Sequence, residues 1–597
     1  MTQQWVDDGR KGAFEVMGLV PATLGQPALA AALSRAGGVG LIDLEFCCLD
    51  DHAIRLVVAR LLKSTETRAG VRVTAGHLPV IESLLCNAAP RRLVVVLAGS
   101  PASIRQMCAA LRPYSHVELL AEVLEATDAP ELEALCDGVV LRGQEAGGWV
   151  SPDSSFILLQ KIQGRLRKPF LVQGGIGVRG AAACLAAGAA GVVLDDALLL
   201  LDESPLPESL RAELARLNGS ECRLVGEGRG PAFRGYGRPS QGVLRQVDEL
   251  TRQAEAENLP AAEWCQRMLA LTGWNGDSLL PLGQAVGLAK LYADRYGTAG
   301  RLVQAVRRQS LRQNERAAEL GFLDENGPLA ASHGTRWPIA QGPMTRVSDS
   351  AAFAAAVAQA GALPFLALAL MRGPEVSQLL SQAAERLDGR PWGVGLLGFV
   401  PQALRDEQCE AIWKSKPAFA LIAGGRPDQA EEFEKRGIAT YLHAPAPALL
   451  RLFLEQGARR FVFEGRECGG HVGPLASFPL WEQMVETLLA HVPAGDEKKV
   501  HVLFAGGIHD ALSGAMVAAL SAPLADKGMK VGVLMGTAYL FTHEIVGSGA
   551  VVPGFQQAAL DCARTVNLES GPGHVTRCVD SPFTADFQSL RRRLIRD

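Results

Sequence analysis

The 597-residue sequence has no excess of either charge: 59 Lys and Arg stand against 63 Asp and Glu, a net charge of −4. Without a basic surplus, nothing in the composition points to nucleic acid or to an anionic membrane surface. The one basic run, Arg591-Arg592-Arg593, reads as a solvated helix face. No cysteines stand in metal-ligand spacing. Apart from the adjacent Cys47-Cys48, the 12 cysteines are scattered among apolar segments, which suits buried free thiols in a reducing cytosol. No apolar run reaches transmembrane length; Ala181–Leu194 comes nearest and is stopped by Asp195-Asp196. The start, Met1 to Asp8, shows no signal-peptide pattern. These absences leave a cytoplasmic globular protein with no membrane, nucleic-acid or metal role. The length suits two or three domains, each able to bury a full core.

What is present is alternation. From residue 14 to about 200, short apolar runs alternate with alanine-rich helical stretches. The runs read as strands at Phe14–Leu19, Val39–Asp43, Arg68–Val73, Leu93–Ala98, Val117–Val123, Gly138–Arg142, Pro169–Gln173 and Gly191–Leu194. Eight strands separated by helices close into a parallel (β/α)8 barrel; an open doubly wound sheet is the alternative. A second set follows at Trp337–Gln341, Leu363–Ala367, Trp392–Leu397, Phe419–Ile422, Ala439–Leu442, Arg460–Glu464, Val500–Ala505 and Val531–Met535. Its first helix is capped by Ser348 or Asp349, fills Ala351–Ala360 and ends at Gly361. Between the two sets the strand signal fades. Arg223–Val225 is one short strand, Gly226–Gly242 an extended Gly/Arg/Pro loop, and Val243–Ala256, Ala261–Leu271, Leu282–Tyr296 and Thr298–Leu320 are helices. The expected fold class is α/β: two tandem (β/α)8 TIM barrels, over residues 1–205 and 335–597, joined by a helical connector over 206–334.

The two halves repeat one another in order. Gly143-Gln144-Glu145-Ala146-Gly147-Gly148-Trp149-Val150 aligns with Gly465-Arg466-Glu467-Cys468-Gly469-Gly470-His471-Val472. Val172-Gln173-Gly174-Gly175-Ile176 aligns with Phe504-Ala505-Gly506-Gly507-Ile508, and Gly191–Leu194 with Gly532–Met535. The copies part where chemistry is expected. His471 stands against Trp149, Gly536-Thr537 against Asp195-Asp196, and Gln341-Gly342-Pro343-Met344-Thr345 against Leu19-Val20-Pro21-Ala22-Thr23. In a barrel of this kind the loops after strands seven and eight offer backbone N–H groups to a phosphate. Gly506-Gly507 and Gly536-Thr537 meet that need. Asp195-Asp196 repel a phosphate unless a cation intervenes, although either also suits a cap for the next helix. The Gly226, Gly228, Arg229, Gly230 loop lacks the strand-loop-helix setting of a phosphate site and reads as structural.

Taken together, Gln341-Gly342-Pro343-Met344, Glu467-Cys468-Gly469-Gly470-His471-Val472-Gly473, Ala505-Gly506-Gly507-Ile508 and Gly532-Val533-Leu534-Met535-Gly536-Thr537 resemble the nitronate monooxygenase / 2-nitropropane dioxygenase family. That family includes flavin-type enoyl reductases. The residues look closest to the branch associated with polyunsaturated fatty acid and polyketide synthases. The resemblance covers 336–597, including the tail Gly571–Arg577. It implies FMN on the second barrel, with Gly342, Pro343 and Met344 against the isoalloxazine ring and Gly469 and Gly470 beside it. Gly506, Gly507, Gly536 and Thr537 would hold its phosphate, and Met535 is a further cofactor-binding residue. His471 matches the family's catalytic histidine. His443, after strand five, is a candidate substrate contact or a histidine bonded to backbone, and Glu467 is a loop or strand-end anchor or a candidate substrate contact. The family often has an asparagine after strand three; Gly395-Leu396-Leu397-Gly398 has none. The first barrel is degenerate by the same comparison and is expected to bind no FMN.

The implied function is an FMN-dependent enoyl reductase acting on 2-enoyl thioesters, with NADPH or NADH as electron donor. Its partners would be an acyl carrier protein or other synthase domains, the chain being a natural unit or part of a longer megasynthase. A nitronate monooxygenase and a non-catalytic scaffold module are the alternatives. The tandem arrangement suggests barrels packed as a pseudo-dimer.

Overall fold

The computed structural model describes residues 14–87, 92–227, 230–239, 242–571 and 574–596. Met1–Asp8, Gly228-Arg229 and Pro572-Gly573, all weighed above, lie outside the described residues. The chain forms two compact units, Met1–Asn314 and Glu315–Asp597. Each contains one closed barrel of eight parallel strands with helices between them, a (β/α)8 fold.

In the first unit the barrel strands are Glu15–Pro21, Val39–Asp43, Ala69–Val73, Leu93–Leu97, Val117–Val123, Gly138–Arg142, Phe170–Gln173 and Gly191–Leu194. Strand side chains alternate between faces. Met17, Leu19, Val39, Leu41, Val94, Val96, Leu120, Val140, Leu171 and Val193 form one buried cluster inside the barrel. In the second unit the strands are Ile339–Gln341, Leu363–Ala367, Gly393–Leu397, Phe419–Ala423, Ala439–His443, Arg460–Glu464, His501–Ala505 and Lys530–Met535. Their interior carries Ala340, Leu363, Phe365, Phe419, Leu421, Tyr441, Val462, Leu503 and Ala505. Strand ends differ from the sequence expectation by one or two residues, as helix and strand ends ordinarily do.

Three features depart from expectation. The helix Ala351–Gln359 is capped by Ser350, whose side chain accepts from the Phe353 N–H; Ser348 instead accepts from the Met344 N–H. The stretch read as an extended loop contains a strand, Ala232–Gly235. And within the glycine-histidine stretch Gly470–Val472 forms a strand.

The last two are one finding. In the first unit Gly148–Val150 pairs with Ala232–Gly235, which pairs with Arg223–Val225. In the second, Gly470–Val472 pairs with His574–Val579, which pairs with Thr565–Gly571. The repeat therefore includes a three-stranded antiparallel strap after strand six. Arg234 stands opposite Gly148 and donates to the Gln144 carbonyl at 2.6 Å; Arg577 stands opposite Gly470 and donates to the Arg466 carbonyl at 3.3 Å. Each guanidinium ties its strap to the loop it crosses. In the chain the strap arrives after the eighth strand, so only pairing reveals that Ala232–Gly235 and His574–Val579 are counterparts.

At the opposite end of the second barrel, the helix Pro328–His333 packs against the eighth strand. It delivers His333 into a buried chain: His333 Nε2 to the Tyr441 hydroxyl at 2.6 Å, then Tyr441 to His501 Nδ1 at 3.2 Å. Burial, with Arg460 and Lys530 nearby, lowers His333 to about 3 and His501 to about 2.

Candidate active site

Barrel chemistry sits at the strand C-terminal ends, so the two mouths are compared there, position by position. Residues level with one another in a parallel ladder face the same side. The strand registers then equate Leu19 with Gly342, Asp43 with Ala367, Arg72 with Gly395, Glu122 with His443 and Arg142 with Glu464. The loop alignment adds Gln173 with Ala505 and Asp195 with Gly536. The register pairs Gly342 with Leu19, one place from the Val20 that sequence alignment offered. All seven are inward positions at or just beyond the C-terminal ends of their strands, Leu19 and Ala505 also belonging to the buried interior.

In the first barrel these positions are filled and charged. Arg72 donates twice to Glu122, at 2.8 and 2.9 Å, and also reaches Glu45 and Asp43. Arg142 donates to Glu122 at 3.0 Å and to the Gly147 carbonyl. Burial opposes ionisation of Glu122, but Arg142 and Arg72 hold its carboxyl below the usual range. Asp195 accepts from the Asp196 amide at 2.8 Å and from Gln173 at 3.3 Å, and Asp196 accepts from the Gly283 amide. Burial raises both carboxyls, Asp196 strongly because Asp195 adds repulsion. Trp149, 9% exposed, packs edge-on to Phe233 at 4.9 Å, and Phe46 does the same at 5.8 Å. The cavity left between Leu19, Asp43, Gln173, Asp195 and Pro281 is about 30 Å³, room for about one water. A flavin ring does not enter it.

In the second barrel the same positions are cleared. Four of the bulky or charged groups become Gly342, Ala367, Gly395 and Ala505, and Gly536 replaces Asp195. The glycines are required by packing. A Cβ on Gly395 would lie 2.2 Å from Pro343 Cβ, and one on Gly342 would lie 2.6 Å from a Leu534 methyl. The expected cofactor residues gather around this space. A Cβ on Gly469 would lie 2.7 Å from Thr537 Oγ1, one on Gly536 3.5 Å from Met344 Sδ, and one on Gly506 3.4 Å from Cys468 Sγ. Loops one, six, seven and eight thus converge. Gly506 and Gly507 have φ of +123° and +70°, conformations open to glycine. Pro343, Met344, Gly470, Gly507, Met535 and Gly536 are half-buried, and Gly469 and Thr537 are exposed. Among the described residues no acceptor is found for the amides of Gly507, Gly536 or Thr537. In the first copy the amide matching Thr537 is taken by the Asp195 carboxylate, a built-in anion where the second copy leaves an anion site open. The residues present therefore fit a planar cofactor with a phosphate end.

The titratable candidates separate. His471 lies on the strap, exposed, on the face opposite buried Val472, and its imidazole makes no hydrogen bond or ion pair with another described residue. Of the two readings of Glu467, substrate contact or loop anchor, the contacts are those of an anchor. It is buried and accepts from the Ser477 amide at 2.9 Å and hydroxyl at 2.6 Å, and Glu145 holds Ser155 in the same way. His443 faces the mouth, and its Nδ1 is 3.1 Å from Glu464 Oε2. Glu464 was missed by sequence reasoning. Its signal was period two, since Arg460, Val462 and Glu464 share the inward face of one strand, as Ala439, Tyr441 and His443 do on the next. The thiol of Cys468 is hydrogen-bonded to Glu464, and burial, followed by that carboxylate, pushes the thiol well up.

No protein-family model matches the chain. Over 193 residues, 32% of this chain, it is 28% identical to (3aS,4S,5R,7aS)-5-hydroxy-7a-methyl-1-oxo-octahydro-1H-indene-4-carboxyl-CoA dehydrogenase of Rhodococcus jostii strain RHA1, spanning 53% of that protein. It is 29% identical to the Mycobacterium tuberculosis H37Rv protein of the same name over 258 residues, 42% of this chain and 66% of the relative. Among solved structures, FabK from Thermotoga maritima is 20% identical with a TM-score of 0.42, over 51% of this chain and 96% of that one. No helix among the described residues is long and apolar enough to cross a membrane.

Proposed function

We propose that the second barrel is an FMN-dependent oxidoreductase that reduces the α,β double bond of a 2-enoyl thioester, and that the first barrel holds no flavin. The observation that carries this reading is the exchange at the mouth, where Arg72, Asp43, Gln173 and Asp195 give way to Gly395, Ala367, Ala505 and Gly536. Such an exchange opens room for a flat ring and frees amides for a phosphate. The two relatives named as carboxyl-CoA dehydrogenases support thioester redox chemistry.

In this reading Gly342, Pro343 and Met344 lie against the ring, Gly469 and Gly470 beside it, and Gly506, Gly507, Met535, Gly536 and Thr537 hold the phosphate end. The bound flavin, reduced by NADPH or NADH, supplies a hydride to Cβ. The protein's own part is to bind, to exclude water and to supply a proton at Cα. His471 and His443 are the imidazoles at this mouth suited to that work near neutral pH. The acyl group arrives on CoA or on an acyl carrier protein.

The test is stoichiometry followed by turnover. The full chain titrated with FMN should take up one flavin, and NADPH oxidation should depend on added crotonyl thioester. Failure to bind FMN, or two flavins per chain, overturns the assignment. Oxygen consumption with propionate 3-nitronate in place of thioester reduction transfers the site to nitronate oxidation.

A further inference from the structure

We infer that His443 and Glu464 form a carboxylate–imidazole dyad in which His443 delivers the proton to Cα. The inference rests on the enoyl-reductase reading of the same site.

Among the topmost inward positions that the register equates, these two are where the second barrel keeps ionisable side chains. The first copy places an ion pair at the same two positions with the sites reversed: a carboxylate, Glu122, at the His443 position, and a guanidinium, Arg142, at the Glu464 position. An arginine does not give up its proton near neutral pH, so that pair is structural. Replacing it by histidine and glutamate turns a fixed bridge into one that can exchange a proton.

The geometry also fixes which nitrogen acts. With Nδ1 3.1 Å from a Glu464 carboxylate oxygen, the pair favours the tautomer that carries its proton on Nδ1, which leaves Nε2 for the substrate. Among the described residues Nε2 has no partner. The Cys468 thiol, kept protonated by burial, hydrogen-bonds to Glu464 and helps hold it. The two side chains are 22% and 24% exposed, within reach of substrate yet shielded enough to keep their mutual orientation. His471 has no such orienting partner.

Hydride addition at Cβ leaves the electron pair at Cα, delocalised onto the thioester oxygen. His443 Nε2–H donates its proton to Cα, forming the C–H bond. The neutral imidazole keeps its Nδ1 proton on Glu464 and regains the Nε2 proton from water. Glu464 stabilises the imidazolium form before transfer and acts as a positioning residue. General acid groups of this kind contribute about 10²- to 10⁴-fold.

The test uses His443→Gln and Glu464→Gln in the full chain. In flavin-loaded protein, both should be reduced by NADPH at the wild-type rate. Oxidation by crotonyl thioester should slow about 100-fold or more in His443→Gln and about 10-fold in Glu464→Gln. In flavin-free protein, nitrogen NMR of 15N-histidine-labelled chain should show a proton held on His443 Nδ1 in both charge states of the ring, and Glu464→Gln should move that signature. If His443→Gln fails to take up flavin, the isosteric Glu464→Gln decides. Wild-type rates in Glu464→Gln with an unmoved His443 signal, or full enoyl reduction in His443→Gln, overturn the dyad. No enoyl turnover by the wild type instead overturns the reading beneath it.

Discussion

Replacing Glu122 with Gln in the first barrel tests whether its mouth is held by charge. The substitution keeps shape and one acceptor oxygen but removes the carboxylate that Arg72 grips twice and Arg142 once. Arg72 retains Glu45 and Asp43. Arg142 is left with the Gly147 carbonyl and no carboxylate partner, at 1% exposure. Removing one member of a buried ion pair costs about 3–5 kcal/mol. The remaining amide oxygen places this case near the lower end, about 3 kcal/mol, or ~10²-fold in the opening equilibrium. Native-state hydrogen exchange at Val117–Val123 and Gly138–Arg142 should report that change as faster exchange, and urea unfolding should lose the corresponding stability. The triple replacement Arg72→Met, Glu122→Leu, Arg142→Met should recover much of the loss, because apolar residues of similar volume often serve as well as a buried ionic network. A loss below about 1 kcal/mol in Glu122→Gln would refute the claim that the mouth is closed by this network.

Further outcomes follow from the same geometry. Gly536→Asp, which grafts the first copy's carboxylate onto the second, should abolish FMN uptake while leaving circular dichroism unchanged; retained flavin would show that the phosphate lies elsewhere. His333 and His501 are held near 3 and 2, below the unfolded histidine range near 6.5. The unfolded chain therefore takes up protons first as pH falls, and stability of the second unit drops below about pH 6.5. By pH 5 the loss is about 2 kcal/mol per imidazole; thermal melts from pH 7 to 5 that do not shift would refute the burial argument. Asp196 is raised by burial and by Asp195, so the folded state holds its proton more tightly and stability falls as pH rises through that raised value. Asp196→Asn, whose side-chain oxygen can still accept from Gly283, should remove that slope in melts from pH 4 to 8.

Much of the architecture was legible from one chain. The strand positions follow from short apolar runs buried on both faces, and the repeat follows from ordered glycine motifs. The glycine loops Gly506-Gly507 and Gly536-Thr537 were legible as motifs; Gly506 and Gly507 take positive φ, which favours glycine, whereas Gly536 has an ordinary negative φ. Other assignments were not. Glu467 sits beside the glycines in sequence, yet its carboxylate is spent on Ser477, ten residues on. Glu464 looked like the end of a strand and proved to face the mouth. His471 drew attention because it differs from Trp149, but it is exposed on a strap whose partner strand lies about a hundred residues further along.

The sequence by itself determined the periodic and local properties: two barrels, their strand order, the glycine turns, and the carboxylates Asp195-Asp196 of one copy standing where the other has Gly536-Thr537. These depend on residue type and spacing along the chain. Tertiary structure alone decided which side chains share the top inward layer, that Arg72 answers to Gly395 and Glu122–Arg142 to His443–Glu464, and that Arg234 and Arg577 bind equivalent straps. Those facts depend on ladder register between residues 18 or more positions apart in the chain. A one-residue slip turns every inward side chain outward. The same shift moved Gly342 from its sequence match with Val20 to its true place opposite Leu19, on the floor of the cleared mouth.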